Sequence, residues 1–424
     1  MSSGLTPDLG DPDVLARLFA PAQGEPAIGL AVSGGPDSLA LLLLAQRWAG
    51  SIEHPPKLFV YSLDHGLRPD SSDEVAMVLA RAGELNIPAR DLVWAGEKPA
   101  TGISEAARQA RYALIGQAMQ ADGATLLLTA HHRQDQAETV LMRLAHGSGL
   151  EGLRGMTQFS SVEGVRVFRP LLDVEPSALA GLVEAAGMAP ALDPSNDDVR
   201  YERVRWRKLL PTLAAEGLDS AALARFAARM GEADAALTQM AEAGFEELVR
   251  LDGFGAAAAA QAALMALSPA IGRRVLGRAL NIVGGRQKPR ALGQVERLYD
   301  QLVAHDLPRG ATLLGAVIRL KGDMITLARE PGRALPEPQG LAAGSALVWD
   351  DRFHIASTEA TGALTVSAAD FMPRHRLEQL LGFRVTTPAE AIRTAPMVSD
   401  ADGNLLALGG WSFDERVKVQ LLID

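Results

Sequence analysis

The sequence predicts an α/β protein: a doubly wound, mostly parallel sheet, followed by a helical domain and a small α+β domain. Three observations point there. Short apolar runs alternate with helical patterns through the first half of the chain. A Gly-Gly turn joins the first of those runs to its helix. After about Pro211 the alternation stops and Ala-rich helical stretches take over.

Residues 28–32 form the first apolar strand, and 38–48 read as a buried helix because almost every position is apolar. Residues 58–63 are the next strand, followed by Asp64-His65-Gly66-Leu67-Arg68-Pro69. Residues 71–86 have helical periodicity, 92–94 are a brief strand, 103–121 a helix, and 125–129 a strand running into His131-His132. In a parallel sheet, ligands bind at the carboxyl ends of the strands. The Gly34 turn, the Asp64 loop and the His131 segment should therefore meet in one cleft. Beyond them, 218–251 and 256–280 read as helices, 312–327 as a hairpin, and 331–344 as a linker rich in Pro, Gly and Ala. Strand-like runs at 345–349 and 405–408 complete a small α+β region.

A chain of 424 residues is too long for one ordinary core, so two or three domains are expected. The boundaries fall at 1–214, 215–332 and 333–424. The content of 48% hydrophobic and 22% charged residues is that of a soluble globular protein. The absence of cysteine excludes disulfides, thiolate zinc sites and any route through a protein thiol. The first residues carry no basic and apolar signal segment, and the longest apolar run, 39–45, cannot span a bilayer. A cytoplasmic protein without membrane contact is the expectation. The formal net charge of -10 opposes a polyanion overall, so any nucleic acid must meet a local basic face.

Ser33-Gly34-Gly35-Pro36-Asp37-Ser38 follows a strand and opens a helix. Paired glycines let the backbone approach an anion, and the free N–H groups of the helix start favour phosphate. Asp37 can hold Mg²⁺ or orient the loop, and as a plain turn the segment would need only a cap from Asp37 or Ser38. No Gly-Lys-Ser/Thr ending is present, so this is not a Walker loop. His131, Asp135 and Glu138 stand at i, i+4 and i+7. If a helix begins near His131 they share one face and can bind Mg²⁺, accept a proton from an amine, or, for Asp135 and Glu138, serve as cap and first-turn acids. Arg108 and Arg111 lie a turn apart beside Tyr112 and can offset anionic charge, although exposed helix arginines are common. The run VRYERVRWRK interleaves Arg203, Arg205 and Arg207 with aromatics, a pattern suited to phosphate contact and base stacking. From Gly253 to Val295 no acid occurs, while Arg273, Arg274, Arg278, Arg286, Lys288 and Arg290 do. That stretch fits a polyanion or a solvated basic face.

Taken together these motifs resemble the tRNA(Ile)-lysidine synthetases, members of the PP-loop ATP pyrophosphatases. The resemblance rests on SGGPDS at Ser33, LDHGLR at Leu63, ARQARY ending at Tyr112 and TAHHRQDQAET from Thr129. It continues through HGSGLEGLRGM from His146, RPLL at Arg169 and DPSNDD from Asp193, over about residues 28–211. It implies ATP and Mg²⁺ at Ser33, Gly34, Gly35, Pro36, Asp37, Ser38 and Asp64, with Asp37 on the metal. Asp37, Arg111, His131, Asp135 and Glu138 are the implied catalytic set. The implied partners are free L-lysine and tRNA(Ile) with anticodon CAU, and a homodimer is left open. The second half resembles the family only in its layout, so the residues expected to hold the RNA, Arg203, Arg205, Arg207, Arg273, Arg274 and Arg278, come from the basic run and the acid-free stretch themselves. The reaction implied is adenylation of the wobble cytidine at O2, then displacement of AMP by the lysine ε-amine. A tRNA thiolase of the same superfamily would need the cysteines this chain lacks. A small-molecule amidating ligase would not need the acid-free basic stretch, and a tRNA-binding protein with a degenerate site would not need the intact phosphate loop.

Overall fold

The computed structural model describes residues 8–66, 71–96, 98–99, 101–191, 198–285, 292–308, 310–332, 334–360, 362–370 and 372–423. Parts of the LDHGLR and DPSNDD motifs, and Arg286, Lys288 and Arg290, lie outside the described residues. The chain divides into two compact units, Met1–Asp234 and Ala235–Asp424. Among the described residues no helix is long and apolar enough to cross a membrane.

The first unit has the expected α/β architecture. Its elements are α1 (Pro12–Phe19), β1 (Ala27–Ala31), α2 (Pro36–Gly50), β2 (Lys57–Asp64), α3 (Ser71–Glu84), β3 (Ala89–Val93), α4 (Ile103–Asp122) and β4 (Leu126–Leu128). They continue with α5 (Arg133–Ala145), α6 (Leu150–Leu153), β5 (Phe159–Val162), β6 (Val165–Phe168), α7 (Pro176–Ala185) and α8 (Glu202–Ala215). The strand order is β3-β2-β1-β4-β6-β5, parallel except for the β5 edge. β1 is apolar throughout because both faces of a central parallel strand are covered. Leu39 to Ala45 of α2 are all buried, so that helix is apolar all round and forms the centre of the main core.

The β5–β6 hairpin has no counterpart in the sequence reading. Its two-residue turn places Glu163 and Gly164 at φ 49° and 79°, the twist that hairpins favour. Glu-Gly is a weak announcement of that turn compared with Asn-Gly, which explains the omission.

α9 (Ser220–Leu248) runs through the division between the units. The second unit continues with β7 (Arg250–Leu251), β8 (Ala257–Ala260), α10 (Gln261–Ala266), α11 (Pro269–Gly284), α12 (Leu292–Val303), β9 (Ala311–Leu313), β10 (Ala316–Lys321) and β11 (Met324–Arg329). The expected single helix at 256–280 is thus corrected to a strand and two helices. Alanine favours helix locally, but Ala257 to Ala260 pair antiparallel with Met324 to Leu327. Tertiary pairing overrides propensity here. The remaining elements are β12 (Gln339–Leu341), β13 (Ala346–Trp349), β14 (Phe353–Ser357), β15 (Leu364–Ala368), α13 (Arg374–Leu381), α14 (Ala389–Thr394), β16 (Pro396–Ser399), β17 (Leu405–Leu408), β18 (Trp411–Ser412) and β19 (Val417–Leu421). They form a five-stranded antiparallel sheet, β12-β15-β16-β17-β18, and a three-stranded one, β13-β14-β19. A core around Trp349, Phe353 and Val366 fills this region, separate from the core around Leu280 and Leu302.

Candidate active site

The chain runs outward from β1 to β2 and β3, then returns to β4 on the other side of β1. The crevice between the carboxyl ends of β1 and β4 is therefore the topological switch point, where an open α/β sheet takes its ligand. The phosphate loop follows β1 and the His131 segment follows β4, as the sequence led us to expect.

In the loop, Gly34 has φ +86°, and a Cβ there would sit 3.0 Å from Met77 Cε and 3.4 Å from Ala191 Cβ. Both strain and crowding require glycine. The Ser38 hydroxyl donates to the Gly35 carbonyl at 2.9 Å and accepts the Ser33 N–H at 3.2 Å, closing the loop onto the start of α2. Pro36 occupies the first helical turn, where its missing N–H costs nothing. Asp37 follows it, with its side chain about a third exposed. Asp64, at the end of β2, accepts the Gly66 N–H at 2.7 Å and the Ser71 hydroxyl. Those two bonds, Ser71 foremost, hold its carboxyl below the usual range, so it is a fixed anion at the cleft edge.

α5 begins with His132 as its cap. The His132 ring Nδ1 accepts the Asp135 N–H at 3.3 Å, and the His132 N–H donates to Asp135 Oδ2 at 2.9 Å. The same ring places Nε2 3.5 Å from Asp37 Oδ2. Burial would lower this imidazole, but the Asp37 hydrogen bond and the charges of Asp135, Asp37 and Glu138 leave it raised.

Glu138 is completely buried. Arg203 Nε donates to its Oε2 at 2.6 Å and Arg207 Nε to its Oε1 at 2.7 Å. Arg203 Nη2 also donates to Asp135 Oδ1 at 2.6 Å. Burial alone would raise the Glu138 carboxyl, yet the bonds from Arg207 and Arg203 outweigh it and leave it lowered. Glu138 and Asp135 are thus committed to arginine, and their shared helical face serves to hold α8. Arg203 and Arg207 face inward, whereas Arg205 is exposed and bonds back to the Val199 and Arg200 carbonyls.

His131 differs from its neighbours. Its Nδ1 lies 2.9 Å from Thr129 Oγ1. Burial pulls its pKa down to about 4, against the attraction of Asp135 and with help from Arg169, Arg203 and Arg108. An unfolded histidine titrates near 6.5. The folded chain therefore holds this proton less tightly, and stability is lost as pH falls from about 6.5 towards about 4. His131→Gln should flatten that part of the melting temperature against pH, and a slope unchanged by the substitution would refute the assignment.

Arg111 is exposed on α4, and Arg108 lies over the Tyr112 ring at 5.1 Å. Sequence reasoning passed over two residues. One is His132, whose adjacency to His131 hid a separate function. The other is Arg169 of the RPLL motif, which is 4% exposed and donates to Thr157 O at 2.9 Å and Ser160 Oγ at 3.0 Å. No carboxylate offsets it among the described residues. The HGSGLEGLRGM motif braces α5 from behind: Gln136 exchanges bonds with the Met156 backbone, and Arg143 donates to the Gly152 and Gly155 carbonyls.

The proposed polyanion stretch on α11 is less free than its sequence suggests. Arg273 pairs with Asp300 at 3.0 Å, Arg278 with Glu242 at 3.5 Å, and Arg274 donates to Thr238 at 3.2 Å. The acids absent from the segment come from α9 and α12, which local sequence cannot reveal.

Residues 12–213 match the PP-loop domain family. A tRNA(Ile)-lysidine synthase of Rhodopseudomonas palustris is 45% identical over 75% of this chain and 94% of its own length. The chain belongs to the tRNA(Ile)-lysidine synthase family. A member from Bradyrhizobium diazoefficiens is 43% identical over 75% of this chain and 93% of its own. Another, from Mesorhizobium japonicum, is 34% identical over 91% of this chain and 84% of its own, so the family likeness extends into the second unit.

Proposed function

We propose that the chain is a tRNA(Ile)-lysidine synthetase of the cytoplasm. It adenylates O2 of the wobble cytidine in tRNA(Ile) with anticodon CAU, releasing pyrophosphate. The ε-amine of free lysine then attacks C2, and AMP leaves with the bonding electrons. The observation that carries this reading is the coupling of an intact SGGPDS loop, through Asp37 and His132, to a carboxylate–arginine cluster. A thiolase is disfavoured by the absence of cysteine.

The N–H groups of the phosphate loop and the start of α2 receive the phosphates of ATP. The carboxylate of Asp37 fits Mg²⁺ because Asp135 and Glu138 are engaged by arginines, and Mg²⁺ ordinarily takes one or two carboxylates with phosphates and water. Bound there, the ion would neutralise triphosphate charge. Arg203 and Arg207, fixed by Glu138 and Asp135, stabilise negative charge that develops on the transferred group. Arg111 lends further positive charge at the cleft. His131 is the member of its trio with no arginine hydrogen bond among the described residues. Its ring, with a pKa lowered to about 4, stays neutral at pH 7 and offers the attacking amine a hydrogen-bond acceptor, while the amine's proton passes to water.

Exposed Arg205, with Arg203 and Arg207 behind it, flanks the anticodon entrance. Arg273, Arg274 and Arg278 contact the tRNA backbone, exchanging their intramolecular partners for phosphate. Their replacement together by Ala should weaken binding of matched and mismatched tRNAs alike and flatten the salt dependence. Unchanged affinity and salt slope would shift the contact to the α13 region, where Arg376 and Arg384 are exposed beside Phe383. The reaction itself is tested by lysine incorporation into a tRNA(Ile) transcript, with a transcript carrying uridine at the wobble position as the control.

A further inference from the structure

His132 caps α5 with an imidazole where Ser, Thr, Asp or Asn is the usual choice. Any of those would satisfy the Asp135 N–H. None is long enough both to accept that N–H and to present a donor to α2. The imidazole does both, with Nδ1 3.3 Å from Asp135 N and Nε2 3.5 Å from Asp37 Oδ2. A neutral ring whose Nδ1 accepts the Asp135 N–H must carry its hydrogen on Nε2, and a protonated ring carries one there too. In either state Nε2 presents a hydrogen to the Asp37 carboxylate. The ring is 7% exposed, so water competes poorly for this position.

The connections continue beyond the ring. The His132 N–H donates to Asp135 Oδ2 at 2.9 Å, Arg203 donates to Asp135 Oδ1 at 2.6 Å, and Arg203 and Arg207 hold Glu138. One unbroken series of polar contacts therefore links the first turn of α2, the start of α5 and α8.

We propose that His132 is a positioning residue that orients the Asp37 carboxylate toward bound Mg·ATP and ties the phosphate loop to the carboxylate–arginine cluster. It touches neither nucleotide nor lysine, and acts through Asp37. The proposal rests on the assignment of the phosphate loop to ATP, but not on the identity of the nucleic-acid substrate.

Equilibrium binding of Mg·ATP to the full chain, measured by calorimetry, tests it without any turnover. His132→Asn retains a good cap and loses the reach to Asp37. It should melt with the wild type and bind Mg·ATP about five-fold more weakly, the effect of one lost orienting hydrogen bond. Asp37→Asn should weaken binding further. The double variant should bind within about two-fold of Asp37→Asn alone, because the histidine then has no carboxylate to orient. His132→Ala, which also lacks the cap, should lose stability as well as affinity. Wild-type affinity in His132→Asn would overturn the proposal. So would losses that multiply in full in the double variant, or a fall in stability of His132→Asn matching that of His132→Ala. Failure of the wild type to bind Mg·ATP would refute the loop assignment itself and is read separately.

Discussion

Replacing Asp37 with alanine is expected to abolish lysidine formation while leaving retention of tRNA(Ile) on a filter close to wild type. The carboxylate is on the first turn of α2, in the phosphate loop, whereas the arginines proposed to hold tRNA lie on α8 and α11. Its removal takes away the proposed Mg²⁺ ligand and the partner of His132 together. Alanine is tolerated in the first turn of a helix, and the side chain is partly exposed, so folding should be little affected. Turnover near the wild-type rate would reduce Asp37 to an acid that only complements the helix start. Loss of tRNA retention in parallel would instead indicate that the loop and the nucleic-acid surface fold as one element.

Glu138→Gln should lower activity by about a hundred- to a thousand-fold, the range for losing electrostatic preorganisation. Both Glu138 oxygens accept from guanidinium groups, and a glutamine amide would turn an N–H₂ towards one of them. Arg203 and Arg207 keep side-chain exposures of 40% and 37%. Water can therefore solvate part of their released charge, and the stability loss should be about 1–2 kcal/mol instead of the larger cost of a fully buried pair. Asp135→Asn should be milder, since an amide oxygen can still accept the His132 N–H and Arg203 remains tied to Glu138. Steady-state kinetics with thermal melts would check the ranking. Equal and small effects from both substitutions would show that the cluster is only structural.

Much of the catalytic unit was legible because its signals are local. Apolar runs with intervening amphipathic segments mark the parallel strands and their helices, and Ser33 to Ser38 announces a phosphate loop by composition and position alone. The spacing of Asp135 and Glu138 puts both carboxylates on one face, both reaching Arg203, but α5 begins at Arg133 with His132 as its cap, so His131 precedes the helix and does not share that face. What that face holds was not legible. Arg203 and Arg207 come from α8, more than sixty residues later, and look like a surface basic run until α8 packs on α5. The same blindness to partners made the arginines of the acid-free segment 253–295 look unpaired, although Glu242 and Asp300 from outside it lie against Arg278 and Arg273. The alanines of β8 carry no strand signal of their own and are recruited by pairing with β11. His132 was overlooked because a cap made from imidazole is rare enough that its neighbour attracted the attention.

The most direct test of the proposed activity is nucleoside analysis of tRNA(Ile) transcript after incubation with the enzyme, ATP and lysine. The expected result is lysidine at the wobble position, with AMP and pyrophosphate formed in step with it, and no product when lysine is omitted or the wobble base is uridine. ATP consumption that leaves the wobble cytidine unmodified, or a modified base formed without lysine, would contradict the account.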